Sequence, residues 1–318
     1  MRSRIAEMIH STFGHFHARE IHARETKIGF EDMELGDLAP EDFVRLAYLV
    51  LLRRKIDPAG LAHWHDAISR GMFAHGSVVD GLLGSEEYQR QFGADVNRRL
   101  HEARKAWIAE LPAFDRLLDV GGSSPSRAEG ALIQLGYPHR PRQLDILDLP
   151  PDRQNHGTPI HDQSVPSVFE WGTVSYFHGS AEDIAKVAAL QQRTYDCVFM
   201  GQAIEHVRPE ALPAILQWIR AHLAPNGWFI ADTPNRILTK IQCPSWYIHP
   251  DHKIEYEPDQ LARVLADNGF KVVKKVGMAH LPKIAASGTY DAREFRDAQL
   301  LHENADACYL FALEAVVD

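Results

Sequence analysis

Up to Pro112, apolar residues recur only at helical spacing. Within residues 1–30, Ile5, Met8, Ile9, Phe13, Phe16 and Ile21 lie mostly three to five apart, which predicts an amphipathic helix or an ordered arm. Residues 31–97 read as wholly helical. Pro40-Glu41-Asp42 opens a helix with proline early and acids in the first turn, and Phe43, Leu46, Ala47, Leu49, Val50 and Leu51 give it a wide apolar face. Asp57-Pro58 caps the next helix, with Leu61, Trp64 and Ile68 on one side and Gly71 at its end. Val78, Val79, Leu82 and Leu83 make a third helix, and Ser85-Glu86-Glu87-Tyr88 starts a fourth. Residues 98–112 are charged and helical, and are expected as a linker helix.

At Pro112 the pattern changes to short apolar runs alternating with amphipathic stretches. Strands are predicted at Arg116–Val120, Gln143–Asp148, Thr173–Phe177, Asp196–Met200, Trp228–Asp232, Lys271–Val276 and Cys308–Ala315. Helices are predicted at Ser126–Leu135, Ile184–Leu190, Pro209–Leu223 and Asp259–Asn268, the last closed by Gly269. Strands alternating with helices make a mainly parallel α/β sheet. The expected organisation is an arm over 1–30, an all-α domain over 31–97, the linker over 98–112 and an α/β domain over 113–318.

Composition narrows the function. Hydrophobic residues at 45% and charged residues at 24% exclude a disordered chain. The longest apolar run, Leu46–Leu52, falls far short of the roughly 18–20 residues of a membrane span. Met1–Ile9 carries two arginines but no apolar core follows, so no secretory leader is expected. The net charge of −9 disfavours a nucleic-acid partner. Cys197, Cys243 and Cys308 are far apart, without zinc-ligand spacing, and fit free thiols in a reducing compartment. A cytoplasmic location is expected, with peripheral contact to the inner membrane left open.

The candidate chemistry begins at Leu117-Leu118-Asp119-Val120-Gly121-Gly122-Ser123, a strand running into a glycine turn before a helix. Such a turn lets backbone approach a ligand, and the helix start behind it presents free N–H groups. It is not the dinucleotide pattern, since positions 121–126 read G-G-S-S-P-S. An ordered set of motifs follows. Asp148 ends the second strand, with Asp145 its competitor as a ligand carboxylate. Gly179-Ser180-Ala181-Glu182-Asp183 follows the third, and Asp196 opens the fourth, which runs into Gly201-Gln202-Ala203-Ile204-Glu205-His206-Val207. Leu223-Ala224-Pro225-Asn226-Gly227-Trp228 leads into the fifth strand, which leaves through Thr233-Pro234-Asn235.

This order resembles the class I S-adenosylmethionine-dependent methyltransferases, in the branch reading DxGxG, D, GDAED, YDxV…EHV and LxPGG, over about residues 113–280. The resemblance implies a Rossmann-like seven-stranded sheet beside the smaller all-α domain, with S-adenosylmethionine as cofactor and S-adenosylhomocysteine as product. It implies that Asp148 accepts from the ribose hydroxyls. Gly121, Gly122 and Ser123 admit the methionine part, Asp119 organises the turn or bonds the ammonium, Ser180, Ala181 and Glu182 lie by the adenine, and Gln202 lies beside the methionine end. The chain departs from the family where Ser180 replaces a frequent Asp, and where Gly122-Ser123 replaces the second glycine of G-x-G. The connection Leu149–Trp171, with Asn155, His156, His161 and Asp162, is longer than usual and reads as a lid or a surface loop.

A sugar hydroxyl is a weak nucleophile that benefits from a general base. His206 and His252 are the candidates, oriented by Glu205 or Asp251, in loops at the mouth of the sheet. His249, Asp251 and His252 are conceivable metal ligands by type, but their spacing carries no strong ligand signature, and no metal is assigned. In the helical part, Arg54-Lys55-Ile56-Asp57-Pro58-Ala59-Gly60-Leu61, Trp64 and Ser85-Glu86-Glu87-Tyr88 resemble a small bacterial helical family of uncharacterised function, often attached to surface or glycan-related proteins. Trp64 is expected in the core rather than as a sugar platform, and the helical domain is expected to serve homo-oligomer contact or a glycan-assembly partner. The leading function is O-methylation of a sugar hydroxyl in surface-glycan biosynthesis. The alternatives are methylation of another small molecule, such as a quinone or secondary metabolite, and a cofactor-binding scaffold or sensor without turnover.

Overall fold

The computed structural model describes residues 39–52, 54–70, 78, 81–82, 85–88, 95–153 and 162–318. The expected arm over 1–30, and Gly71, Val79, Leu83 and Gly84 of the helical part, lie outside the described residues. So do Asn155, His156 and His161 of the long connection.

The helical part holds α1 (Pro40–Leu51) and α2 (Pro58–Ser69). Asp57 caps α2 by accepting the Gly60 N–H at 2.8 Å. Phe43, Val44, Ala47, Leu51, Val78 and Leu82 form a buried cluster with Trp64 against it. The Trp64 indole N–H reaches the Tyr48 hydroxyl at 3.3 Å, and the ring is partly buried. Tyr290 and Ala292, from the C-terminal part, pack against the same cluster.

Helix α3 (Asp95–Ile108) contains most of the stretch expected as a linker, and it belongs to the packing of the sheet. Val96, Ala103 and Trp107 recur at seven and then four residues, and all are buried. Trp107 is fully buried, stacks on Phe199 with centroids 5.9 Å apart, and donates its indole N–H to Glu314 at 3.2 Å.

The sheet is mixed. Its strands are β1 (Arg116–Val120), β2 (Gln143–Asp148), β3 (Ser167–Phe169), β4 (Gly172–His178), β5 (Tyr195–Gly201), β6 (Leu223–Pro234), β7 (Phe270–His280), β8 (Gln299–His302) and β9 (Cys308–Val317). Their order is β3-β4-β2-β1-β5-β6-β9-β7-β8. The five strands from β4 to β6 are parallel, whereas β9, β7 and β8 pair antiparallel beyond β6. Covered on both faces, β1 buries Leu117, Leu118 and Val120, the continuous apolar pattern of a central parallel strand.

Seven strands were expected and the sheet has nine. The additional two, β3 and β8, are three and four residues long and pair at the edges with β4 and β7. Strands that short leave no readable alternation. The helix expected over Ser126–Leu135 is shorter, as α4 (Gly130–Gln134). Gly130 sits at φ +83°, and Ser124 Oγ accepts the N–H groups of Ser126 and Arg127 at 3.3 and 3.2 Å, so a side-chain turn replaces the first helical turn. The helix expected over Ile184–Leu190 is two 3₁₀ turns, Ala181–Lys186 and Ala188–Leu190. The remaining helices are α5 (Leu212–His222), α6 (Arg236–Gln242), α7 (Pro258–Asp267) and α8 (Pro282–Ser287). No helix among the described residues is long and apolar enough to cross a membrane.

Trp107→Ala removes a fully buried ring between α3 and the sheet. It is expected to lower unfolding free energy by about 3–5 kcal/mol, measured by urea denaturation.

Candidate active site

The crevice lies at the C-terminal ends of the parallel strands, where connections from β1 and β5 diverge. Asp119, near the end of β1, is buried beneath the glycine turn. A Cβ at position 122 would fall 2.0 Å from an Asp119 carboxylate oxygen, so only glycine lets the turn close over that group. Gly121 donates its N–H to Leu147 at 2.8 Å, which ties the turn to β2. Asp148 ends β2 half-buried at the rim, accepting the Ser123 N–H at 3.0 Å and the Leu149 N–H at 2.7 Å. Its competitor Asp145 is fully buried and held by Arg193, Tyr195 and Gln143, each at 2.8 Å. Asp145 therefore serves the sheet, and Asp148 is the carboxylate left beside the turn.

Two residues not singled out from the sequence complete this half. Arg104, on α3, makes a two-pronged pair with Asp232 of β6, Nε to Oδ2 at 2.7 Å and Nη2 to Oδ1 at 3.0 Å. Asp232 is fully buried. Gln202 also donates to Asp232, at 2.8 Å, from a backbone held at φ +54° just past β5. The available signals were a charged residue inside an apolar strand and an arginine near the buried stripe of α3. Burial, the neighbouring Asp148 and Asp232 raise the Asp119 pKa to about 7, against the pull of Arg104.

At the adenine-side candidates, Ser180 Oγ accepts the Glu182 N–H at 3.2 Å and caps the following turn. That donor is thus already used within the loop. The Glu182 carboxylate takes the Arg208 backbone and guanidinium N–H groups, both at 2.8 Å. Asp162, in the long connection, is exposed and accepts from Ser164.

The second half of the site gathers three imidazoles. Ring centroids of His206 and His252 are 4.9 Å apart, His206 and His249 5.8 Å, and His249 and His252 5.2 Å. Glu205 is buried and accepts the Thr233 hydroxyl at 3.0 Å, while its backbone oxygen receives Lys253 N–H at 2.8 Å. Burial raises the Glu205 pKa to about 7, with His252 opposing. The partners that orient the histidines differ from those expected. His252 Nδ1 meets Glu255 at 2.7 Å, and His206 Nδ1 meets the backbone oxygen of Asp251, not its carboxylate, at 3.3 Å. Glu255 is buried and shared with Ile248 N–H at 2.7 Å and Arg236 at 3.4 Å. Burial and the two neighbouring rings push the His249 pKa well below its usual value, so that ring is neutral. Trp246 Nε1 is buried with no hydrogen-bond partner among the described residues.

Residues 88–275 match the family model described as Methyltransferase domain, and residues 30–92 match one described as Domain of unknown function (DUF4214). No curated protein matches the chain. Similar solved structures include an S-adenosylmethionine-dependent methyltransferase from Thermotoga maritima, 15% identical, covering 72% of this chain and 94% of that one, at TM-score 0.46. Another, from Archaeoglobus fulgidus, is 17% identical, covers 72% and 97%, and has TM-score 0.45. Human N-acetylserotonin methyltransferase, solved with S-adenosylmethionine, is 14% identical, covers 86% and 70%, and has TM-score 0.41.

The Asp119 pKa gives a signed pH dependence. Between about pH 4 and pH 7 the native chain holds a proton that the unfolded chain has released. Without bound ligand, native stability is therefore expected to fall as pH rises through that window and to level off above it, by about 4 kcal/mol at most. Urea denaturation of wild type and Asp119→Asn at pH 5 and pH 8 checks it. The variant loses this share of the decline.

Proposed function

The chain belongs to the methyltransferase-domain family, its cofactor is S-adenosylmethionine, and from that premise we propose that it methylates a sugar hydroxyl in bacterial surface-glycan biosynthesis. The donor set fits the cofactor. A carboxylate at the end of β2 suits a ribose diol, and the glycine turn gives the backbone room to approach the amino-acid tail. Three carboxylates, Asp119, Asp148 and Asp232, face one guanidinium, Arg104, a balance that favours a cationic ligand. Asp232 acts through Gln202 and Arg104, as a positioning residue.

One observation carries the choice of an oxygen acceptor. Consecutive residues of β6 hold the two halves of the site: Asp232 binds Gln202 and Arg104, while Thr233 binds Glu205, beside His206 and His252. An activating cluster thus stands directly beside the cofactor side. S-adenosylmethionine supplies an already activated sulfonium methyl, so the protein's work is to align and activate the acceptor. The acceptor oxygen forms the new bond to carbon, and the carbon–sulfur bond breaks with its electron pair on sulfur. The hydroxyl proton passes to water on the histidine side. The attached helical domain supports the glycan setting only through the resemblance drawn from its sequence, and it also offers a surface for a partner or a second copy.

Calorimetric titration is expected to show S-adenosylmethionine binding by wild type, weakened about 100-fold or more in Asp148→Ala through loss of charge-assisted hydrogen bonds. Methyl transfer to nucleotide sugars or polysaccharide fragments, and not to quinols, is expected in an acceptor screen. Turnover confined to quinols or amines would overturn the sugar reading.

A further inference from the structure

We infer that Glu205, His206 and His252 form a site for one divalent first-row transition-metal cation, open toward the acceptor. The inference rests on the proposed function only in taking this side of the crevice as the acceptor side. One ligand atom from each of the three residues lies within 4.8 Å of the other two. Donors bonded at about 2.1 Å to one tetrahedral cation lie about 3.4 Å apart, so the three side chains draw in by about an ångström or more to close the site.

The hydrogen bonds behind the ligands point the same way. A backbone carbonyl only accepts, so the Asp251 contact at 3.3 Å places the His206 proton on Nδ1 and the ring's lone pair on Nε2. His252 Nδ1 is engaged by Glu255 at 2.7 Å, which leaves its Nε2 lone pair in the same way. Glu255 is itself fixed by Ile248 N–H and Arg236. Thr233 orients the Glu205 carboxylate from behind at 3.0 Å. Metal-ligating imidazoles are held in this manner, by a carboxylate or carbonyl on the far nitrogen. His249 is adjacent but built differently. Its Nδ1 accepts the Asp251 N–H at 3.2 Å, so the neutral ring carries its proton on Nε2 and donates rather than ligates.

Two imidazoles and one carboxylate suit a borderline ion such as Zn²⁺ over Ca²⁺ or Mg²⁺, and the harder Mn²⁺ serves as a spectroscopic probe of the same site. Three protein donors leave positions for water or the acceptor oxygen. There the cation acts as a Lewis acid. The coordinated hydroxyl gives its proton to water, its oxygen bonds the methyl carbon, and the electron pair of the broken carbon–sulfur bond stays on sulfur.

The test uses the full-length chain freed of metal by chelation. It is titrated with Mn²⁺, read by the electron paramagnetic resonance of the free ion, and with Zn²⁺ by calorimetry. One ion per chain is expected for at least one of the two metals. Its affinity should fall about 100-fold in Glu205→Gln and His206→Asn, fall about 10–100-fold in Glu255→Gln, and hold in His249→Asn. A thermal melt accompanies each variant. If Glu205→Gln does not fold, His206→Asn decides, since its ring is only partly buried. No stoichiometric binding of either ion by wild type, or full affinity in folded His206→Asn, overturns the site. Asp148→Ala should lose S-adenosylmethionine and keep the metal, so a failed metal site and a failed cofactor site give different results.

Discussion

The buried pair between Arg104 and Asp232 ties three parts of the molecule together. It joins α3, which precedes the sheet, to the end of β6, and through Gln202 it reaches the loop after β5. Breaking a buried pair by removing one partner strands a charge, at a cost of about 3–5 kcal/mol. Asp232 is wholly enclosed, so α3 cannot lift from the sheet without exposing or orphaning it. The Trp107 stack on Phe199 fixes the same helix through packing alone. With α3 placed, the position of Gln202 follows, and its left-handed backbone is tolerated because its N–H and side chain both bond Asp232.

The crevice is organised as two electrostatic environments that share a strand end. On one side, carboxylates outnumber the single guanidinium, and burial makes Asp119 reluctant to ionise while no cation is bound. On the other, three imidazoles, of which burial keeps His249 neutral, gather beside a buried carboxylate. The side chains of Asp232 and Thr233 serve the two sides separately, as expected of neighbours on a strand, which point to opposite faces.

The helical domain meets the catalytic part through Tyr290 and Ala292, which touch the cluster around Phe43 and Leu51. Tyr290 lies in the segment between α8 and β8, and it also packs against the core that includes α3. The long connection after β2 begins at Leu149 and returns through the stacked rings of Phe169, in the edge strand β3, and Trp171, 5.0 Å apart.

Local pattern alone determined the central strands. Arg116–Val120 and Gln143–Asp148 are found as read, because strands buried on both faces write continuous apolar runs between turn residues. The motif order likewise marked Asp119, Asp148 and Glu205-His206, since glycine turns and strand-end carboxylates are local features. Pairing and enclosure belonged to the tertiary structure. The edge strands β3 and β8 exist because neighbours supply their hydrogen bonds, and α4 starts late because Ser124 and Gly130 settle the preceding turn. Asp145 and Asp148 differ by three positions in one strand, and only the approach of Arg193 and Tyr195 makes the first structural. Arg104 could not be assigned its partner from its own surroundings, because Asp232 is brought by a different element, and burial energy is set by what encloses a charge rather than by its place in the chain.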